Sequence, residues 1–173
     1  GLPGAVEFHR NFLWQVTQKR GFVIDNRFNG GGNISGILLA KLLRQIVGWT
    51  ASRWSHEPRT YPYHAPLGPI VVLTNENAGS DGDIFSQAVK ATGLGPLIGM
   101  RTWGGVVGID RAKDLVDGGY TTQPEYAFWF HGVGWSVENH GVEPDIVVDR
   151  SPADAFRNAD PQLDRAISEV MAA

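Results

Sequence analysis

Three short segments hold residue types that could do chemistry. Ser80 lies where the apolar run Pro69-Ile70-Val71-Val72-Leu73-Thr74 gives way, through Ala78-Gly79, to Asp81-Gly82-Asp83-Ile84-Phe85. Acyl transfer needs a hydroxyl exposed on a tight turn and close to backbone N–H donors. Small neighbours permit the turn, and a helix start supplies free donors and a positive dipole end. Taken alone, Gly-Ser-Asp-Gly fits a plain helix N-cap as well, because serine is a favoured cap. The second segment, Asn29-Gly30-Gly31-Gly32, follows an apolar run. Its glycines let the backbone turn sharply and approach a ligand closely. An oxyanion or peptide-binding loop and an ordinary tight βα turn both fit. No Gly-Lys-Ser/Thr follows, which weakens a phosphate loop, and the spacing fails the dinucleotide fingerprint. The third runs from Trp135 to Asp145 and holds Glu138 and His140. If extended, these two share a face, and Glu138 could orient a histidine. A polar rim on a surface turn is the ordinary alternative. His9, His56, His64, His131 and His140 show no paired ligand spacing, so neither a metal nor another cofactor is expected.

The elements that must position these segments follow from apolar patterning. Ala5, Phe8, Phe12, Leu13 and Val16 recur at helical spacing. Gly21-Phe22-Val23-Ile24-Asp25 reads as a buried strand, and Ile34, Ile37, Leu38, Leu42 and Ile46 as a helix closing near Gly48. Residues 49–69 mix proline, aromatic and polar residues without a period and read as a surface loop that could border a substrate groove. A second buried strand, Pro69–Thr74, leads through Ser80 into a helix ending at Gly93. Two strand–turn–helix units in succession imply parallel strands joined by right-handed crossovers. Leu97-Ile98-Gly99 begins a third short strand. Beyond it the character changes. Asp117-Gly118-Gly119 reads as a hairpin turn between Lys113–Val116 and Tyr120–Gln123. Tyr126–Phe130 and Asp145–Val148 read as further strands. Asp160-Pro161 starts a last helix, with Asp160 as N-cap and Pro161 at the first helical position. The expected class is α/β, mostly parallel early and hairpin-rich later, in a single domain over residues 1–173.

Composition bounds the partners. The chain has 173 residues, 42% hydrophobic and 19% charged, as in ordinary globular domains rather than disordered chains. A net charge of -3 offers no basic patch for nucleic acid or an anionic membrane. No apolar run approaches the roughly 18 residues of a spanning helix. The absence of cysteine excludes disulfides and thiolate chemistry and fits a reducing, cytoplasmic setting. The chain opens Gly1-Leu2-Pro3-Gly4, without an initiator Met, and moves straight into a helical pattern. It reads as a chain entered midway, so a larger parent protein is expected.

Taken together, four segments in order resemble one family. They are Asp25–Gly32, Thr74–Phe85, Arg101-Thr102-Trp103-Gly104-Gly105-Val106-Val107-Gly108, and Val137–Asp145. They resemble the C-terminal core of the tricorn-type peptidases, within the tail-processing serine peptidase clan, over nearly the whole chain. The resemblance implies a crotonase-like, Clp-protease-like core. It puts Ser80 on the nucleophile, and the amides of Asp81 and Gly32 on the oxyanion hole. Glu138 falls on the acid that positions the catalytic histidine. With this, nucleophile overtakes cap as the reading of Ser80. The substrates implied are oligopeptides, with Gly31, Gly32, Val106, Val107 and Gly108 as the expected substrate-binding residues. The other partners implied are the remaining domains of the parent chain and further copies in a ring.

Two departures matter. The family's catalytic histidine and adjacent serine lie upstream, before a PDZ-like module, and nothing in the 173 residues matches them. Related C-terminal processing enzymes use a Ser–Lys dyad with lysine in Thr-Phe-Gly-Lys-Gly, whereas this chain reads Thr102-Trp103-Gly104-Gly105. Gly105 stands in place of that base, so the reading requires an imported histidine. Three other readings stay open. One is a peptide-binding module working by β-augmentation, with Val106-Val107-Gly108-Ile109 as the candidate edge. Another is a crotonase-type acyl-CoA enzyme, which would need neither Ser80 nor Glu138. The last is a domain that is inert and structural on its own.

Overall fold

The computed structural model describes residues 2–16 and 18–173, and the side chains of these except residues 2, 3, 5, 16, 55, 56 and 110–113. Gly1, and the side chains of Ala5, Val16 and His56 invoked above, lie outside the described residues. The elements in order are α1 (Leu2–Val16), β1 (Phe22–Asp25), α2 (Ser35–Leu42), β2 (Gly48–Ser52), β3 (Ser55–Tyr61), β4 (Ile70–Thr74), α3 (Asp81–Thr92), β5 (Leu97–Gly99), β6 (Gly108–Asp114), β7 (Tyr120–Tyr126), β8 (Ile146–Val147), α4 (Pro152–Phe156) and α5 (Pro161–Ala172). Among the described residues no helix is long and apolar enough to cross a membrane.

Four strands make one sheet in the order β1-β4-β5-β8, and every pairing is parallel. All five residues of β4 are buried, as an apolar central strand covered on both faces must be. Its side chains alternate between two cores. Ile70 and Val72 meet Phe12, Phe85 and Val89 on one side. Val71 and Leu73 meet Ile98, Ala166 and Val170 on the other. Helix α3 therefore covers one face and α5 the opposite one. Gly93 stops α3 in the left-handed conformation (φ 64°). Asp160 caps α5 by accepting the Leu163 N–H at 3.0 Å, with Pro161 next in line, as the sequence requires.

Several sequence expectations need correction. Residues 49–69 are not simply a loop: β2 and β3 form an antiparallel hairpin there. It lacks the apolar–polar alternation that marks a half-buried strand, because it does not join the main sheet. Helix α2 stops at Leu42 rather than near Gly48, since the Val47 N–H turns away to the Tyr61 carbonyl (2.9 Å). The hairpin around Asp117-Gly118-Gly119 exists but is longer than expected. Tyr126 closes β7, and residues 127–130 make only an isolated bridge from Phe130 to Gly134. The short α4 was not anticipated. It is set by a capping box between Ser151 and Asp154.

Candidate active site

The loops after β1, β4 and β5 converge at the carboxyl edge of the parallel sheet, where open α/β sheets bind ligands. Ser80 sits there at φ 53°, ψ -114°, immediately before α3. A positive φ at a residue with a Cβ costs about 1–3 kcal/mol and is held only by its surroundings. The Ser80 side chain makes no capping hydrogen bond. Its carbonyl accepts the Ile84 N–H at 2.9 Å, and the Gly82 N–H reaches the Gly79 carbonyl at 2.8 Å. The Asp81 N–H, first in the helix, has no acceptor among the described residues, as expected of a helix N-terminus.

The glycine loop lies directly against this turn. Gly31 is at φ +127°, and a Cβ there would stand 3.0 Å from Ser80 Cβ and 3.3 Å from Oγ. The Gly79 N–H donates to the Asn29 carbonyl at 2.9 Å. Asn29 Nδ2 donates to Asn26 Oδ1 (2.9 Å), while Asn26 Nδ2 donates to the Gly82 carbonyl (2.9 Å) and to Ser86 Oγ (3.0 Å). Asn29 Oδ1 also takes the Gly31 N–H at 3.2 Å. The amides of Gly30 and Gly32 have no acceptor among the described residues.

Three carboxylates spend their charge on backbone amides. Asp81 Oδ2 accepts from the N–H groups of Ile34 and Ser35 at the start of α2, and Oδ1 from Ser35 Oγ. Asp83, fully buried, accepts from Gly104 (2.8 Å) and Gly105 (3.1 Å). Glu138 Oε2 accepts from Val106 (2.7 Å) and Val107 (2.9 Å). The Trp103 N–H donates to the Ala78 carbonyl at 2.9 Å. Five successive amides, 103 to 107, are thus fixed in one strap. The Asn139 N–H closes it by donating to the Gly104 carbonyl at 2.7 Å. Glu138 Oε1 has no partner among the described residues.

Trp103 packs on both of its glycine neighbours. A Cβ on Gly79 would come 2.8 Å from Trp103 Cε3, and one on Gly105 would come 2.4 Å from Cζ3. A side chain at position 105 is therefore incompatible with the indole where it lies.

The remaining sequence-derived site residues are placed differently from expectation. Val106 is buried in the core, and the amides of Val106 and Val107 are taken by Glu138, so these two donors are not free to pair with an added strand. Gly108 already belongs to β6 and pairs with Tyr126. Residues 135–140 form turns rather than an extended segment, so the same-face argument for Glu138 and His140 does not apply. His140 Nδ1 lies 3.1 Å from the Gly141 carbonyl, and the His140 carbonyl accepts from Arg101. Among the described residues no imidazole is hydrogen-bonded to Ser80 or Glu138, and no cluster of three His, Cys, Asp or Glu side chains could hold a metal ion.

Sequence reasoning overlooked Asn26, Asp83 and Trp103. Asp83 left no distinct signal, since an acidic first turn, here shared with Asp81, is ordinary at a helix start. Arg27 was also missed. It anchors the end of β1 with paired bonds to Asp25 (2.9 and 2.7 Å), and with others to Asp160 (2.8 Å) and Gln162 (3.0 Å). The hydrogen bond to Asp25 raises the Arg27 pKa, burial opposes that, and Asp160 adds to it. The Arg27 hydrogen bond in turn holds the Asp160 carboxyl below the usual carboxylate range, against the opposing effect of burial.

Comparison with known proteins identifies the family. The sequence model of peptidase family S41 matches residues 5–148. Tricorn protease homolog 1 of Streptomyces coelicolor is 51% identical over 171 residues, covering 99% of this chain and 16% of that protein. Tricorn protease of Thermoplasma volcanium is 50% identical over 173 residues, again 99% and 16%. The crystal structure of the tricorn protease superposes with a TM-score of 0.93 at 45% identity, over 99% of this chain and 17% of that one. The chain thus spans about a sixth of the length of these relatives, and it belongs to peptidase family S41.

Proposed function

We propose that the chain is the nucleophile-bearing core of a serine endopeptidase that cleaves oligopeptides through an acyl-enzyme. The observation that carries this is Ser80. It is held at positive φ on a strand-to-helix turn, makes no capping bond, and is followed directly by the Asp81 amide, which has no acceptor among the described residues. In this reading Ser80 Oγ attacks the scissile carbonyl carbon and its proton passes to an imidazole. The carbonyl electrons move onto oxygen, which the N–H groups of Asp81 and Gly32 receive. Collapse breaks the C–N bond, the imidazolium protonates the leaving amine, and water later cleaves the ester. The occupied Gly31 amide supports Gly32 over Gly31 as donor.

The imidazole comes from outside these 173 residues. Glu138, anchored through Oε2 with no partner on Oε1 among the described residues, orients it directly or through a serine and stabilises the imidazolium. The crowding of Trp103 over Gly105 argues against a lysine base at that position. Within this proposal the core is crotonase-like and Clp-like, works in the cytoplasm, and assembles with the rest of a longer chain into a ring of identical copies. Gly31 and Gly32 border the bound peptide.

The test is labelling. A fluorophosphonate applied to the natural full chain should modify Ser80, as read by peptide mass mapping. Labelling that persists in Ser80→Ala sinks the assignment. A chain that binds peptides but is never labelled is a binding module instead.

A further inference from the structure

We infer that the exposed indole of Trp103 is the apolar wall of the subsite that takes a substrate residue flanking the scissile bond, and that this subsite favours an apolar, above all aromatic, side chain. The inference rests on the proposed peptidase reading and adds a substrate preference to it.

Trp103 is 66% exposed, yet it is not a loose surface side chain. Its amide is held by the Ala78 carbonyl, and the next two amides by buried Asp83. Its ring is pressed on Gly79, the residue preceding Ser80, and on Gly105. A single exposed aromatic is ordinary on a protein surface. A rigidly mounted one is different. Two side chains have been given up to seat it, and a buried carboxylate anchors the strap that carries it beside the residue proposed to attack. The mounting pre-pays the ordering cost of a binding surface.

The electrostatics select the ligand. The acidic groups in the turn, Asp81 and Asp83, are buried and held by backbone amides. Glu138 binds the strap through one oxygen. Arg101, two residues before Trp103, is paired with Glu143 at 3.6 Å, and the exposed π-face of the indole suits apolar and aromatic contact. The loop after β1, which sets Gly31 against Ser80, carries a second exposed aromatic. Phe28 is 66% exposed at φ 60°, and its N–H is fixed by Asn75 Oδ1 at 3.1 Å. The two loops that touch the turn therefore each present an aromatic to solvent.

The experiment uses the natural full chain and blocked alanine hexapeptides in which one Phe, Leu, Gly or Asp is moved through the positions. At one position next to the cleaved bond, kcat/KM for Phe over Gly should exceed unity clearly. Trp103→Ala should cut that ratio by about tenfold or more, the scale of losing one good apolar contact. Trp103→Phe should restore most of it, which separates a lost wall from a collapsed strap. A ratio that Trp103→Ala leaves unchanged, with all peptides slowed alike, overturns the inference and leaves Trp103 as packing for Gly79. A flat Phe-to-Gly ratio in the wild type overturns it too. The same peptides, fluorescently tagged and titrated onto Ser80→Ala by anisotropy, separate this idea from the catalytic one. Loss of Phe-peptide affinity on adding Trp103→Ala supports the subsite even if Ser80 proves not to be the nucleophile.

Discussion

The carboxyl edge of the parallel sheet and the two hairpins are built on opposite plans. At the sheet edge polar groups tie distant loops together: the side chains of Asp81, Asp83, Glu138 and Asn26, and the carbonyl of Asn29, each bind groups far apart in sequence. Strand β7, by contrast, is exposed at all seven residues, and both hairpins lie outside the main sheet. An isolated two-stranded hairpin is at best marginally stable in water. The difference shows where this chain spends its binding energy. It is concentrated on three loops around one serine, and strain is tolerated there because the surroundings enforce it.

The largest expected effect is at Ser80. Ser80→Gly should abolish turnover in the natural full chain, a fall of at least about 10⁴-fold in kcat. Stability should hold, or rise by up to about 1 kcal/mol, because glycine relieves the positive φ at some cost in unfolded-state entropy. Urea unfolding decides this; a loss above 1 kcal/mol would mean that the hydroxyl, not the strain, dominates. Glu138→Gln should follow, with kcat lowered by roughly 10²–10⁴ and KM nearly constant, since a residue that orients the imidazole acts mainly in the transition state. A raised KM at constant kcat would instead make Glu138 a substrate contact.

Asp83 comes next. Asp83→Ala leaves the amides of Gly104 and Gly105 buried or part-buried without their acceptor, so about 1–3 kcal/mol of stability should be lost. The strap would loosen where Trp103 meets Gly79, and kcat should drop alongside. Hydrogen exchange at Gly104 and Gly105 should speed up far more than exchange in β4. Equal acceleration in both would show global destabilisation rather than a released strap.

How much of this was readable in advance follows the same division. β1, β4, α3 and α5 were legible because their burial writes a local pattern: β-branched runs for strands covered on both faces, helical spacing for α3, and Asp-Pro for the start of α5. The site was legible only as separate pieces. Ser80 and the glycine loop announce a tight turn, but nothing local says that Gly31 lies against Ser80, since 49 positions separate them. The family resemblance joined them. β2 and β3 were illegible because an exposed hairpin imposes no apolar alternation. That Glu138 takes the Val106 and Val107 amides was not legible, because those bonds are long-range and leave no mark in the sequence.

Asp160 tests the polar lock between β1 and α5. Its folded carboxyl pKa is depressed, first by the Arg27 hydrogen bond. The stabilisation is therefore fully present above the unfolded aspartate value of about 3.9 and is lost as pH falls through the lower folded value. Asp160→Asn keeps a good cap but removes the charge. It should cost about 0.5–1 kcal/mol at pH 7, because the pair is partly solvated. The gap between variant and wild type should close on acidification below pH 4. A constant gap would assign the loss to the cap alone.

The smallest effect is expected at the tip of the second hairpin. Val116 is fully exposed, in a turn closed by the Leu115 N–H on the Gly119 carbonyl (2.8 Å) and the Gly118 N–H on the Leu115 carbonyl (3.0 Å). Neither bond uses its side chain. Val116→Ser removes apolar surface that is already in water, so the folded and unfolded states lose it alike. The change in stability should stay within about 0.5 kcal/mol. The result has more reach than its size. If the natural full chain loses stability steeply on this change, or changes its oligomeric state in sedimentation, then Val116 is buried there against another surface. The contrast between a self-sufficient sheet edge and idle hairpins would then give way to one in which the hairpins are the contacts that join this core to its neighbours.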